Sequence, residues 1–588
     1  MQPRLIQRSR QEDLYRVLLA EGLPEVVARV VSARPVPLHV RGVQGLLSPQ
    51  LADLDAPVSL KGIDRATSRI LKAVQDQEII GFETDHDCDG QTSHAVLYEA
   101  FTQIFKVPDV RLRSYIGHRL AEGYGLSEKL AHRILADPIK PSLIITADNG
   151  SSDEKQIALL KSHGIDIIVT DHHGLPLEGP PESALACINP TQDDCAFPDS
   201  SIAGCMVAWL LMASVRRLGI EQGVFPKNTP SLAMLLDFVA VGTVADCVSL
   251  SRSVNNRAVV QYGLTKIQKL ERPCWQAIQS LIPERAIGFE DLGFLIGPLL
   301  NSDGRLGDAF QSVNFLLSKS LDEAMPWVRL LFEANQTRKT LQKEITDQAM
   351  QHAEQQVKLG RKSLVIYLKE GHAGVHGISA TKVKDAFGRP TLIFAPKQGQ
   401  PGVMTGSGRS LEGLHLKNIL QQVASQYPQM LIGFGGHAGA AGLMLYEHQF
   451  EVFSMAFEAR VSTASEHLTL GPVIYSDGRL EPSQISLTTV HALQQLEPFG
   501  REFEAPQFEI EPMIIAQKPI GHAGNHLKLR LDVGNQQWLD AVWFFALEDP
   551  HYALAITVKR KQRFLIRLQE NHYQGRVQLQ AQIVAMLD

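Results

Sequence analysis

At 588 residues the chain is too long for a single hydrophobic core, and two to four domains is the expectation. A hydrophobic content of 44% with 20% charged residues is that of an ordinary soluble globular protein. A net charge of −6 excludes a global basic field, so any contact with nucleic acid must rest on a local patch.

Met1 to Arg10 is polar and basic and lacks the apolar core of a signal peptide. Residues 1–54, interrupted by Pro35 and Pro37, read as a helical lead-in. Residues 55–318 alternate strand and helix, the pattern of an α/β domain with a parallel sheet. Four apolar runs in it end in aspartate: Ile79–Thr84 before Asp85-His86-Asp87-Cys88-Asp89-Gly90, Leu143–Ala147 before Asp148, Ile165–Thr170 before Asp171-His172-His173, and the stretch around Phe238–Val241, leading to Asp246. All four read as buried parallel strands, with a helix from Thr92 to Phe105. The first acidic cluster is thereby placed at a strand-to-helix turn, where Gly90 supplies permissive backbone.

Ser201 to Val215 is too short and too mixed to span a bilayer and reads as a buried helix. Residues 319–360 read as a long connecting helix. Ser320 and Glu323 resemble a capping box, Gly360 a stop, and Arg338, Lys339, Gln342, Lys343 and Glu344 a solvated face. A strand at Ser363–Tyr367 opens a second α/β region, 361–466, rich in glycine at Gly374, Gly377, Gly406, Gly408 and between Gly433 and Gly442. Residues 467–588 turn to short alternating runs such as His526–Leu531 and Arg563–Leu568, the texture of a small β-barrel. Six cysteines (Cys88, Cys187, Cys195, Cys205, Cys247, Cys274) without CxxC or disulfide-like spacing fit a reducing cytoplasm and read as small buried hydrophobes.

In an open parallel sheet, chemistry collects at the carboxyl ends of the strands. Aspartates and histidines stacked there point to one divalent-metal site. The Asp-x-Asp-x-Asp-Gly run is not an EF-hand loop, because Val96 stands where the bidentate glutamate belongs and a strand precedes it. Oxygen and imidazole donors without thiolate favour Mn²⁺, Mg²⁺ or zinc over soft metals. So many carboxylates repel one another unless cations intervene, and two ions roughly 3.5–4 Å apart would suit phosphodiester hydrolysis.

These motifs, with Gly242-Thr243-Val244-Ala245-Asp246, resemble those of the DHH phosphoesterase superfamily. Asn189-Pro190, Gly297 to Leu306, Gly406-Ser407-Gly408-Arg409-Ser410 and Gly435-Gly436-His437-Ala438 are similar, in order and spacing, to its RecJ family of single-stranded-DNA exonucleases. The resemblance covers about 55–588 and implies two α/β domains bridged by a long helix, plus a C-terminal OB-like barrel. It implies that Asp87, Asp89, Asp148, His172 and Asp246 are ligands for two Mn²⁺ or Mg²⁺ ions, with Asp85 and His173 beside them as ligands or supports. It implies substrate contacts from Asn301, Arg305, His372, Ser407, Arg409 and His437, the glycine-rich loops letting backbone N–H groups reach phosphate. The activity implied is 5′-to-3′ degradation of single-stranded DNA to mononucleotides, in repair and recombination. A single-strand-binding protein is left open as a partner, and a monomer is the default.

The chain also departs from the family. His86 replaces an aromatic and reads as a supporting or solvent-facing residue. Gly371-His372-Ala373-Gly374-Val375-His376 lacks the usual tryptophan and proline and gains His376, and Arg501-Glu502-Phe503-Glu504 follows Leu496–Gly500 in place of the usual continuation. In the last domain Lys528, Arg530, Lys559, Arg560, Lys561, Arg563, Arg567 and Arg576, interleaved with Phe564, Tyr573 and His526, read as a basic groove with aromatic platforms for a single strand. Two rival readings stand: a phosphoesterase of short oligonucleotides or adenosine bisphosphate, and a non-catalytic scaffold.

Overall fold

The computed structural model describes residues 3–36, 47–119, 121–306, 309–521, 523–548, 558–573 and 576–587. The lead-in is not purely helical. A strand, β1 (Arg4–Gln7), precedes helices Glu12–Ala20 and Glu25–Ser32. Four residues carry too little pattern to announce a strand whose partner lies far along the chain. Pro37 lies outside the described residues.

The first sheet contains β2 (Ile80–Thr84), β3 (Leu112–Ile116), β4 (Leu143–Ala147), β5 (Asp166–Thr170) and β6 (Ala186–Ile188) in the order β3-β2-β4-β5-β6. All its pairs are parallel. Every residue of β2 and β4 is buried, which is why both read as unbroken apolar runs. The fourth run is a helix, Leu236–Ala245, and not a strand. It is apolar on all sides because helices Cys88–Glu99, Gly204–Glu221 and Val254–Gln268 surround it, and such a run has no periodicity to tell it from a buried strand. The helix after β2 starts at Cys88, earlier than Thr92, and passes at Ala100–Ile104 into a π turn. Helix Gly204–Glu221 matches the buried helix expected there.

Helix Leu321–Lys358, 38 residues and about 57 Å long, links this sheet to the second. Ser320 Oγ accepts the Glu323 N–H, while the Glu323 carboxylate reaches the N–H of Lys319, so the capping box closes one residue early. Gly360 ends the helix at φ +79°. Lys339, Lys343 and Glu344 are exposed as expected. Arg338 and Gln342 are buried instead, Arg338 donating to Asn335 Oδ1 and Gln342 Oε1. Charges at helical spacing look solvated in sequence, but this face is covered where the two α/β units meet.

The second sheet comprises β7 (Leu364–Tyr367), β8 (Thr391–Pro396), β9 (Val403–Arg409), β10 (Leu431–Gly436) and β11 (Ala440–Tyr446), ordered β10-β11-β9-β8-β7. Only β7 and β8 pair in parallel. β12 (Val473–Ser476) then pairs with β1. The last unit is a six-stranded sheet of β13 (Phe508–Ile510), β14 (Met513–Ile520), β15 (His526–Gly534), β16 (Gln537–Trp543), β17 (Arg563–Tyr573) and β18 (Arg576–Leu587). Its outer strands, β13 and β14, are joined by only Glu511 and Pro512, so the sheet curls until its edges meet as an OB-like barrel. Among the described residues no helix is long and apolar enough to cross a membrane.

Candidate active site

Strand register brings the acidic residues together. Thr84, Ile116, Ala147, Thr170 and Ile188 are level across the first sheet. The residues that follow them therefore emerge in one row at its carboxyl edge: Asp85, Gly117, Asp148, Asp171 and Asn189. The ladder continues one bond further. The N–H of Asp85 donates to Ala147 O, that of Asp148 to Thr170 O, and that of Asp171 to Ile188 O, at 3.0–3.3 Å.

Local structure aims each carboxylate. Asp87 caps helix Cys88–Glu99, its Oδ1 accepting the N–H groups of Asp89 and Gly90. Asp89, in the first turn, accepts from Gly204 N at 2.7 Å and Cys205 N at 3.0 Å, donors at the start of helix Gly204–Glu221 that have no partner within that helix. Gly90 is helical, so its role is not a permissive turn; a Cβ there would lie 2.2 Å from the carbonyl oxygen of Asp85. At Gly242 a Cβ would lie 2.3 Å from Thr92 Oγ1, which is why the buried helix can reach the site and deliver Asp246 from its end. Asp148 adopts φ +66°, a strained conformation at the strand end.

His172 sits in the middle. Its Nε2 is 3.1 Å from Asp148 Oδ1, 3.5 Å from Asp246 Oδ2 and 3.8 Å from Asp89 Oδ2. Three sets of donor atoms lie within 4.8 Å of one another: Asp85, Asp87 and Asp148; Asp89, His172 and Asp246; Asp148, His172 and His173. Asp148 and His172 each belong to two sets, the sharing that adjacent ions would require. Asp171 serves differently, accepting from the N–H of Ser151, His172 and His173 and from His173 Nδ1 at 2.8 Å.

The electrostatics are tense. Burial, then the charges of Asp89, Asp87 and Asp85, push the Asp148 carboxyl well above its usual range. Burial, then Asp89 and Asp87, do the same to Asp246. Burial opposes charge on His173 too, but the hydrogen bond to Asp171 prevails and raises it to about 9. Among the described residues, Asp148 Oδ1 and His172 Nε2 are buried without hydrogen-bond partners. Oxygen and nitrogen atoms left so, among clustered carboxylates, fit hard divalent cations.

Across a cleft of about 520 Å³ lies the second sheet. Asp85, His86 and Asp87 line one side; His372, Ser407 and Lys397 line the other. Ser407 and Arg409 belong to β9 and Gly374 to a helix, so these are not glycine-rich loops. Gly406 and Gly408 instead let β9 pack against Phe394 and Leu392, where a Cβ would come within 2.5 Å. His372 caps helix Ala373–Phe387, its Nδ1 accepting the Gly374 N–H. Arg305 donates to Gly374 O and Arg409 to Gly408 O. Burial and then Arg119 depress the guanidinium of Arg305 to about 10, and Arg409 is lowered by the same two causes. Asn301 uses its oxygen on the Cys88 N–H, holding the first turn below Asp87 and Asp89. His437, in the β10–β11 turn, is exposed, and after burial the charges of Arg501 and Arg409 lower its pKa.

His86 is 4% exposed, not solvent-facing, with Nδ1 2.9 Å from Asp85 Oδ1. Cys247 is exposed, not a buried hydrophobe, at φ +56° just past Asp246. Sequence reasoning missed Arg119, Tyr124 and Lys397 in the cleft. Arg119 follows β3 and Lys397 follows β8, so the strand-end rule that found the aspartates would have found both. β3 escaped because Arg113 and Ser114 interrupt its apolar pattern.

In the barrel Phe564 is fully buried and serves the core, not a stacking platform. An alternating strand turns one of each pair inward, and Phe564 is the inward one. The side chain of Tyr573 lies outside the described residues. Exposed rings are supplied by Trp538, under Arg530 at 5.4 Å, and by Phe544 and Phe545 beside His526.

Residues 79–243 match the DHH family, N-terminal domain, residues 360–463 the DHHA1 domain, and residues 476–585 the RecJ OB domain. The sequence is 35% identical over 535 residues to the single-stranded-DNA-specific exonuclease RecJ of Haemophilus influenzae, covering 89% of this chain and 90% of that protein. It is 35% identical over 553 residues to the protein of the same name from Escherichia coli, covering 91% and 92%. The fold is similar to RecJ from Thermus thermophilus in complex with Mn²⁺, with a TM-score of 0.78 at 24% identity, over 100% of this chain and 79% of that one. A structure of exonuclease RecJ bound to manganese is 28% identical with a TM-score of 0.56, over 68% of this chain and 95% of that one.

Proposed function

The chain belongs to the RecJ family of DHH phosphoesterases, and from that premise we propose that it is a metal-dependent exonuclease degrading single-stranded DNA from the 5′ end to mononucleotides. The observation that carries this reading is the pairing of two walls. Buried carboxylates with unpartnered ligand atoms border a cleft that also holds Arg119 and, on its far side, His372, Lys397 and Ser407, while Arg305 and Arg409 lie near enough to feel the charge of Arg119.

Asp87, Asp89, Asp148, His172 and Asp246 would hold two Mn²⁺ or Mg²⁺ ions, with Asp85 and His173 adjoining. Bound ions would supply a water activated for attack and would neutralise charge on the phosphoryl and leaving oxygens. The residues themselves do the placing. Asp171 keeps His173 oriented through the bond to Nδ1 and favours its charged form, so that His173 would offer a donor to a phosphate oxygen. Arg305 and Arg409, whose charge is opposed by burial and then by Arg119, would grip the terminal phosphate together with Arg119, Ser407 and His372. Asn301 keeps the first turn of helix Cys88–Glu99 in place beneath Asp87 and Asp89. His437 stands over the edge of the site.

All of these groups come from one chain, so a monomer is a sufficient acting unit. We divide it at 55–318, 319–360, 361–466 and 467–588. Six unpaired thiols suit a reducing cytoplasm. The third unit, carrying Trp538 and Arg530, favours long strands over adenosine bisphosphate. The complete donor set argues against a scaffold. End-labelled long single strands, short oligonucleotides and adenosine bisphosphate, each with Mn²⁺ or Mg²⁺, separate the readings. Mononucleotides released from the 5′ end of the long strand are expected; turnover of the small substrates alone, or binding without turnover, would refute the proposal.

A further inference from the structure

The segment 496–504 of the third unit is clamped onto the chain that follows Asp246. The buried guanidinium of Arg257 donates to Leu496 O at 2.8 Å and Pro498 O at 3.3 Å, and lies 4.6 Å from the Phe503 ring centroid. Gly500 and Phe503 exchange backbone bonds of 3.0 and 3.1 Å, closing a tight turn. On either side of the turn's tip, the Leu250 N–H donates to Arg501 O at 3.1 Å, and Glu502 accepts from Ser249 Oγ at 2.6 Å and Arg252 Nε at 3.1 Å. The backbone of Arg501 is thus fixed beside the metal-ligand candidates.

Its side chain is not. Arg501 is exposed, and its Nη1 makes one long contact, 3.5 Å to Cys247 O. Among the described residues it joins no ion pair within 4.0 Å. Its charge is felt both by Asp246 on the first wall and by His437 on the second. The cleft end lined by Arg119, His372 and Ser407 lies elsewhere. An exposed guanidinium carried on a fixed turn beside Asp246, held by one long contact only, is a phosphate contact in waiting.

We propose that Arg501 is a substrate-binding residue lent to the cleft by the third unit, taking the phosphate immediately 3′ of the scissile one in the incoming strand. The proposal rests on the nuclease reading above and deepens it. A terminal phosphate held at the Arg119 end and a following phosphate held at Arg501 would stretch the strand across the metal-ligand candidates.

The test uses the full chain with R501Q and R501K. In Mn²⁺, wild type is expected to show a KM about fivefold lower for 5′-phosphorylated trithymidylate than for the dinucleotide, which lacks the second internal phosphate. R501Q loses that advantage with kcat on the dinucleotide unchanged, and R501K keeps part of it. Binding of a 3′-labelled thymidylate 30-mer in Ca²⁺ gives a readout independent of turnover: R501Q lowers the slope of log affinity against log salt by about 0.7. An R501Q protein with the wild-type slope overturns the proposal whether or not turnover is seen. A wild type that binds with the expected slope yet cleaves no single strand refutes the nuclease reading alone.

Discussion

The wall built on β2–β6 presents buried carboxylates, whereas the wall built on β7–β11 presents the Arg409 guanidinium and the His372 imidazole, each tied to a backbone atom. On the first wall the backbone donates to the side chains: Asp87, Asp89 and Asp171 all accept N–H groups. On the second, Arg409 donates to the carbonyl of Gly408, and Arg305, on helix Gly297–Leu306 of the first unit, donates to Gly374 O of the second. Each wall is well supported and each is electrostatically unsatisfied, in opposite senses. They do not neutralise each other, because the cleft holds them apart. The carboxylate wall calls for cations and the arginine wall for an anion, and a metal-bound phosphodiester supplies both.

Changes to the two walls should therefore fail differently. D89N, which keeps the shape but removes a candidate ligand charge, should lower kcat by about 10³-fold or more while thermal unfolding stays cooperative. Activity within tenfold of wild type would break the distinction. R409A should act on the substrate side, lowering kcat/KM by about 10²-fold through loss of a charge-assisted contact, with Mn²⁺ affinity unchanged. Next comes H376L, on a helix of the second wall. His376 is fully buried and neither ring nitrogen has a hydrogen-bond partner; burial holds its pKa down at about 4. An imidazole that ionises near 6.5 when unfolded and near 4 when folded costs stability as pH falls through that interval. H376L should add about 1–2 kcal/mol at pH 7 and more at pH 5, as read by urea unfolding. A gain independent of pH would assign the effect to packing alone. The smallest effect is expected outside both walls, at Glu497, whose carboxyl burial and then Glu290 raise to about 7. Its charged form disfavours the fold as pH rises from about 4.5 to 7, so E497Q should remove about 1 kcal/mol of alkaline destabilisation, discounted for partial exposure.

Much of the first wall was legible because parallel strands buried on both faces read as apolar runs, and their ends are where function collects. β4 and β5 lie where Leu143–Ala147 and Ile165–Thr170 end in aspartate. Leu236–Ala245 misled for the same reason: burial on all sides erases the periodicity that separates helix from strand. The second wall was harder to read. Gly406 and Gly408 suggested a loop, but their role is close packing against Phe394 and Leu392, which only tertiary contacts reveal. Arg338 and Gln342 looked solvated because a helix sequence does not say which face another unit will cover. In the barrel, Phe564 and Trp538 are both aromatic residues in strands; which one turns outward depended on register.

The central claim is that the first wall holds two cations and the second holds the strand. Calorimetric titration of Mn²⁺ into metal-free wild type, D89N and R409A tests it most directly. The account predicts two ions per chain for wild type and for R409A, and fewer than two for D89N. A wild type that takes up no Mn²⁺, or an R409A protein that loses an ion as D89N does, would contradict it.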